Sequence, residues 1–249
     1  MSRTKEEWQT HSGDWQLPDN RVHVWSVALD QPASYRMKLR EILSADEQSR
    51  ADRFYFERDR DHFIIGRGVL RTLLGYYLGI KPECLSFHYG PKGKPSLTQD
   101  YANGLKFNIS HSHGMALYGF TKNREIGVDI EQIRAIEDAE QIAKRFFSPQ
   151  EAAIFSSIPA DEKYEAFFNC WTRKEAYIKA TGDGLSHPLD RFNVTLRLDE
   201  PAKLLTIEGD AKKAAQWSLS ALTPAPGYIG ALIVTGNDWQ LDCYKYSMI

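Results

Sequence analysis

Ile126-Gly127-Val128-Asp129-Ile130-Glu131 alternates apolar and acidic side chains, the period of two that marks a strand buried on one face. Asp129 and Glu131 then share the opposite face, with Cα atoms about 7 Å apart. Further on, Phe167, Trp171, Glu175 and Ile178 recur at helical spacing, which puts Glu175 on the apolar stripe of a helix and Lys179 one turn beyond it. A carboxylate on such a stripe is costly unless a partner or a metal ion neutralises it. Hard cations such as Mg2+ take a few carboxylates and keep positions for water and phosphate oxygens. Asp129, Glu131 and Glu175, with Lys179 beside them, meet that demand. The spacing is equally that of a solvated strand face and a weak surface helix pair.

Outward from this stretch the chain repeats itself. Ser44-x-x-Glu47 and Ser148-x-x-Glu151 both have the pattern of a helix capping box and stand 104 residues apart. The same shift carries Val22 and Val24 onto Ile126 and Val128, and Phe63-Ile64 onto Phe167-Phe168, each pair opening an apolar-periodic helix that ends near glycine, at Gly79 and at Gly182 or Gly184. A duplicated lobe is the expectation, with a ligand cleft where the two lobes meet. Trp25 and Arg71 stand at the positions equivalent to Asp129 and Glu175, so the acids belong to the second lobe alone.

Strands are expected near 21–29, 84–90, 105–110, 115–121, 126–131, 192–198, 203–208, 216–222 and 228–235. Helices are expected over about 44–57, 59–79, 138–146, 148–156 and 161–181. Strands joined by turns, with helices in blocks, indicate an α+β fold of two pseudo-twofold-related lobes, each an antiparallel sheet with packed helices. The division reads 1–20 as an extension, 21–120 as the N-terminal lobe and 121–249 as the C-terminal lobe.

The 249 residues are 42% hydrophobic and 26% charged, an ordinary globular composition, and a net charge of −2 argues against bulk nucleic-acid binding. Arg50, Arg53, Arg58, Arg60, Arg67 and Arg71 do cluster, but acids interleave with them. Cys84, Cys170 and Cys243 are widely spaced, which fits a reducing compartment and neither a zinc site nor a disulfide framework. The polar start of the chain and the lack of a long apolar run give the expectation of a cytoplasmic protein without a membrane span.

Two further segments bear on phosphate. Tyr89-Gly90-Pro91-Lys92-Gly93-Lys94-Pro95 is a basic glycine turn whose backbone N–H groups and lysines suit an anion, although Pro95 stands where a Walker A loop needs Ser or Thr. Phe107-Asn108-Ile109-Ser110-His111-Ser112-His113 reads as a strand running into a polar turn. Ser110 and His111 are not a nucleophilic pair, because neighbours on an extended chain point to opposite faces. His111 reads as a phosphate partner or as a structural histidine.

In this order, Lys92-Gly93-Lys94-Pro95, Phe107-Asn108-Ile109-Ser110-His111-Ser112, Gly127-Val128-Asp129-Ile130-Glu131 and Trp171-x-x-Lys174-Glu175-Ala176-x-Ile178-Lys179 resemble the 4′-phosphopantetheinyl transferases of the Sfp type. The likeness spans roughly 21–200. It implies two similar α+β lobes with coenzyme A between them, and transfer of the phosphopantetheine arm to a serine of an apo carrier protein with release of 3′,5′-ADP. By the same resemblance Asp129, Glu131 and Glu175 hold Mg2+, Glu175 is the general base, and Lys179 meets the phosphate and assists the leaving group. Lys94, Ser110 and His111 contact coenzyme A phosphates, with Arg58, Lys92 and Asn108 as further contacts. His62 and Phe63 depart from the basic and hydroxyl residues of some members, which favours Arg58 for the adenosine 3′-phosphate.

A monomer serving fatty-acid, polyketide or peptide carriers is implied, with docking within Ile133–Phe147, where Lys144 and Arg145 adjoin Phe146 and Phe147. The competing readings are a non-catalytic coenzyme A or nucleotide-binding module and a metal-dependent phosphodiesterase acting on coenzyme A.

Overall fold

The computed structural model describes residues 7–90, 93–98, 103–182 and 188–247. Its elements run β1 (Trp8–Thr10), β2 (Arg21–Ala28), α1 (Ala33–Glu41), α2 (Ala45–Ala51), α3 (Glu57–Leu78), β3 (Phe87–Tyr89), β4 (Pro95–Leu97), β5 (Leu105–Ser112), β6 (Met115–Lys122) and β7 (Ile126–Gln132). They continue as α4 (Ala139–Phe146), α5 (Pro149–Ser156), α6 (Lys163–Thr181), β8 (Phe192–Val194), β9 (Leu204–Ile207), α7 (Ala211–Ala214), β10 (Trp217–Leu222), β11 (Tyr228–Thr235) and β12 (Gln240–Lys245). The fold is α+β.

Capping boxes open α2 and α5 as their spacing requires: the Ser44 and Ser148 N–H groups donate to Glu47 Oε2 at 3.1 Å and Glu151 Oε2 at 2.8 Å. The long helices α3 and α6 both stop at a left-handed glycine, Gly79 with φ 64° and Gly182 with φ 80°. The order β2-α1-α2-α3 recurs as β7-α4-α5-α6, with α2 and α5 beginning at Ala45 and Pro149, 104 residues apart.

The two larger sheets have the orders β1-β12-β2-β6-β5 and β10-β11-β7, beside the two-stranded β3-β4 and β8-β9. β2, β6 and β5 pair antiparallel, as do β10, β11 and β7. The purely antiparallel first sheet expected from the sequence needs correction, because β12 and β1 add to it in parallel. Strands arriving from the two ends of the chain carry no hairpin constraint on direction. The C-terminal strand thus completes the sheet of the N-terminal half. Residues 7–20 are likewise seated: Trp15 stacks on Trp25 and Tyr76, with ring centroids 5.3 and 4.2 Å apart.

Each half has its own apolar core, one around Leu70, Leu73 and Phe120, the other around Phe155, Phe168 and Phe192. A third core, built on Val22, Val24, Leu117, Ile126, Val128 and Leu232, fills the space between the sheets. Phe147 is buried against Phe155 and Phe167, and Phe146 packs edge-on to Trp171, so neither is the exposed docking anchor that the sequence suggested. On an amphipathic helix end, apolar rings complete the core before they serve a partner.

Candidate active site

β7 and β5 are edge strands of different sheets, and side chains rather than a backbone ladder join them. Val128 N–H donates to Asn108 Oδ1 at 2.9 Å and Ile130 N–H to Ser110 Oγ at 3.4 Å. Alternation on β5 makes this possible: Asn108, Ser110 and Ser112 lie on one face and all three are buried. Alternation on β7 turns Gly127, Asp129 and Glu131 the other way from Val128 and Ile130. This face is covered, not solvated. α6 crosses it so closely that a Cβ on Gly127 would lie 2.0 Å from the Ala176 carbonyl oxygen.

That approach places the last turns of α6 over the acids. Lys179 Nζ donates to Asp129 Oδ1 at 2.6 Å and to Ser110 Oγ at 2.7 Å, and Ser110 Oγ in turn donates to Asp129 Oδ1 at 2.8 Å. Ser110 therefore has both its donor and its acceptor capacity engaged, which suits a bracing role and not nucleophilic attack. Glu175, one turn before Lys179, is half-buried beside the pair. Burial first, then the Asp129 charge, pushes its carboxyl pKa up to about 7, against the lowering pull of Lys179. The Asp129 pKa is also raised, by burial, despite the contact with Lys179.

Two buried oxygens of this cluster, Asp129 Oδ2 and Glu175 Oε1, have no hydrogen-bond partner. Orphaned carboxylate oxygens facing each other's charge are what a divalent cation neutralises, so these two residues fit a hard metal ion. Glu131 is engaged differently: its Oε2 accepts from Ser112 Oγ at 2.7 Å and from Arg134 Nη1 at 3.3 Å. Among the described residues no ready-made group of three or more His, Cys, Asp or Glu side chains is arranged to hold a metal.

The remaining expected contacts divide. Lys94 Nζ donates to the Lys179 and Ala180 carbonyls at 2.6 and 3.1 Å, so it caps α6 and meets the site only through the helix. Asn108 is spent on Val128. Lys92 lies outside the described residues. His111, at the end of the β5 row opposite Ser110, keeps solvent access, and its pKa is lowered by desolvation of the imidazole first, then by the Lys179 and His62 charges. Arg58 stands open, its Nη2 3.7 Å from Asp30 Oδ2, while His62 Nε2 meets Asp30 Oδ1 at 2.7 Å.

A cavity of about 200 Å³ runs along this join, lined by Gly93, Lys94, Phe107, Asn108, Ile178 and Lys179 among others. A larger one, about 710 Å³, lies by Ser148, Asp190, Arg191 and Glu208 and touches none of the site acids. Neither cavity is lined by a site acid; the smaller one reaches the site through Lys179 and Asn108.

Sequence reasoning missed Ser112, Asp30 and Gly127. Ser112 was legible as the third member of the alternate row Asn108, Ser110, Ser112. Asp30 had no local signal.

Comparison with known proteins agrees with this arrangement. Residues 125–234 match the 4′-phosphopantetheinyl transferase superfamily, and residues 31–118 match the family described as 4′-phosphopantetheinyl transferase, N-terminal. The chain is 44% identical to the 4′-phosphopantetheinyl transferase HetI of Nostoc sp., covering 92% of this chain and 94% of that one. It is 35% identical to a putative 4′-phosphopantetheinyl transferase of Synechocystis sp., covering 68% of each. With the 4′-phosphopantetheinyl transferase Sfp of Bacillus subtilis it shares 31% identity, over 72% of this chain and 78% of that one. The chain belongs to the 4′-phosphopantetheinyl transferase superfamily and is a transferase enzyme.

Proposed function

We propose that the protein moves the 4′-phosphopantetheine arm of coenzyme A onto a serine hydroxyl of an apo carrier protein. The observation that carries this reading is the acid pair of buried Asp129, in contact with Lys179, and half-buried Glu175, each with an orphaned oxygen, in a chain of this family. In the reaction the serine oxygen forms a bond to the phosphorus that bears the pantetheine. The bond from that phosphorus to the bridging oxygen breaks, and 3′,5′-ADP leaves.

Asp129 and Glu175, with Glu131 at the outer end of the row, are the residues that would hold Mg2+. Bound there, the cation would neutralise charge on the pyrophosphate oxygens. Glu175 takes the serine proton, a task for which a pKa near neutrality is suited. Lys179 supplies positive charge to the leaving oxygen once it turns from Asp129. Ser110 holds the Asp129 carboxylate in place, Arg58 and His111 meet coenzyme A phosphates at the cleft mouth, and Lys144 and Arg145, both exposed, receive an acidic carrier surface.

The protein is proposed to act in the cytoplasm as a monomer; among the described residues no helix is long and apolar enough to cross a membrane. The test is incubation with coenzyme A, Mg2+ and a panel of apo carriers, read by intact mass. A carrier gaining the phosphopantetheine mass, with one equivalent of 3′,5′-ADP, is the expected result. Coenzyme A cleaved without an acceptor would indicate a phosphodiesterase, and coenzyme A bound without turnover a binding module.

A further inference from the structure

β5 uses its buried alternate row in two ways. Asn108 and Ser110 accept the Val128 and Ile130 N–H groups, which stitches the two edge strands together. Ser112, the third of the row, instead donates its hydroxyl to the Glu131 carboxylate. The same residue spacing thus puts Ser110 on Asp129 and Ser112 on Glu131, one serine for each strand acid.

Glu131 needs such a hold. Its carboxylate is only partly buried, at 23% side-chain exposure, and Arg134, three residues on, competes for the same Oε2. The Arg134 guanidinium lies over the Phe168 ring, 5.2 Å from its centre, and also donates to the Gln132 carbonyl, so it is anchored away from the acid pair. Left to Arg134, the carboxylate would settle against the surface.

Ser112 is itself restrained. Its Oγ lies 2.9 Å from His113 Nδ1; because the hydroxyl proton goes to Glu131, the imidazole N–H is the donor here. His113 sits at the β5–β6 turn with φ 44°, and its carbonyl accepts from the Tyr228 hydroxyl of β11 while the Gly114 carbonyl accepts from Leu29 N–H at 2.7 Å. The turn is therefore tied to both halves of the molecule.

The geometry points to Ser112 as a positioning residue: oriented by His113, it holds the Glu131 carboxylate in one setting against the competing pull of Arg134 on the same oxygen. The inference rests on the proposed cation site and concerns how this chain prepares its third acid. Oriented carboxylates matter because losing the hydrogen bond that fixes a ligand typically costs 10- to 100-fold in metal affinity.

The experiment is calorimetric titration of Mg2+ into the full chain with coenzyme A present and no carrier, for wild type, Ser112→Ala and Ser112→Thr, with melting curves in a chelator. The expected result is binding about tenfold weaker for the alanine variant and within about twofold of wild type for threonine, which retains the hydroxyl. All three should melt within about 2 °C of one another without metal. Equal Mg2+ affinity in Ser112→Ala and wild type overturns the inference, as does a loss in both variants that tracks a fall in melting temperature. Wild type that binds no Mg2+ with coenzyme A present overturns the cation site itself, and the inference falls with it.

Discussion

Gly127→Ala adds one methyl group where β7 and α6 have no room for it. The new Cβ would stand 2.0 Å from the Ala176 carbonyl oxygen and 2.7 Å from Ala180 N, both backbone atoms of a helix that cannot rotate out of the way. An ordinary contact begins near 3.4 Å, so α6 must retreat by about 1.4 Å or β7 must bend by as much. Glu175 and Lys179 flank Ala176 and Ala180 on the same turns. A shift of that size stretches the 2.6 Å Lys179–Asp129 contact to about 4 Å, beyond hydrogen-bond reach. Overpacking against backbone should cost about 3 kcal/mol, the upper part of the usual range. For a chain of this length that lowers the melting temperature by roughly 6–12 °C. Misplacing the reacting groups by about 1 Å should lower the transfer rate about 100-fold.

Gly119→Ala is the internal control. Its Cβ would meet Ile126 and Val128 side-chain methyls at 2.9 Å in the core between the sheets, with no α6 atom among its nearest contacts, so it should cost stability while its effect on the transfer rate is much smaller. The assay is thermal unfolding by circular dichroism with initial-rate transfer to a carrier read by intact mass. A Gly127→Ala protein that melts within about 2 °C of wild type and turns over within about threefold would refute the claim that the close approach sets the site.

The other expected outcomes concern charge. Glu175→Gln should lower the transfer rate at least about 100-fold while coenzyme A binding, read by calorimetry, suffers less. Because the raised Glu175 pKa makes the folded state prefer the protonated carboxyl, its stabilising share is present below about 4.5 and is lost as pH rises through about 7. The metal-free Gln variant should then melt above wild type at pH 8 and level with it at pH 4. Tyr77 accepts from Trp25 Nε1 and pairs with His23 Nδ1 at 2.8 Å; burial first, then the His11 charge, lowers the His23 pKa to about 4. Stability should therefore fall by about 3 kcal/mol as pH drops from 6.5 to 4, and His23→Gln should flatten that slope in denaturant titrations. Reversing Lys144 and Arg145 to Glu should raise the KM for an acidic carrier and leave the KM for coenzyme A nearly unchanged; an unchanged carrier KM would move docking elsewhere.

What the sequence disclosed follows from how local each signal is. The period of two in 126–131 and the period near 3.6 through Glu175 and Lys179 are short-range patterns, and both elements lie where they point. Capping boxes and terminal glycines fixed the starts and stops of the helices because they satisfy backbone groups within a few residues. By contrast α1, which opens at Pro32 with no side-chain cap and buries only Leu39, has neither a capping signal nor an apolar stripe and was not foreseen. The parallel addition of β12 to β2 joins segments more than 200 residues apart, which no local pattern records. Lys94 is expected at a phosphate from its glycine loop; in the structure it donates to the Lys179 and Ala180 carbonyls at the end of α6, a contact visible only once the two halves meet.

The difference between the halves comes down to one residue of helix register. In the first half the capping-box acid Glu47 is buried and answered by Arg71 of α3, Nε to Oε2 at 2.6 Å. In the second the equivalent Glu151 is buried and answered by Lys174 of α6, Nζ to Oε2 at 2.7 Å. Both acids need that cation, because a carboxylate stripped of its partner in such a site costs roughly 3–5 kcal/mol. Yet the 104-residue shift maps Arg71 onto Glu175, not onto Lys174. Moving the structural cation back one position turns it about 100° around the helix. Position 175 is thereby released from the capping box and faces β7, where Trp25 of the first half, packed among Trp15 and Tyr244, has become Asp129. A small change in where one buried charge is satisfied separates the half without site acids from the half that carries them.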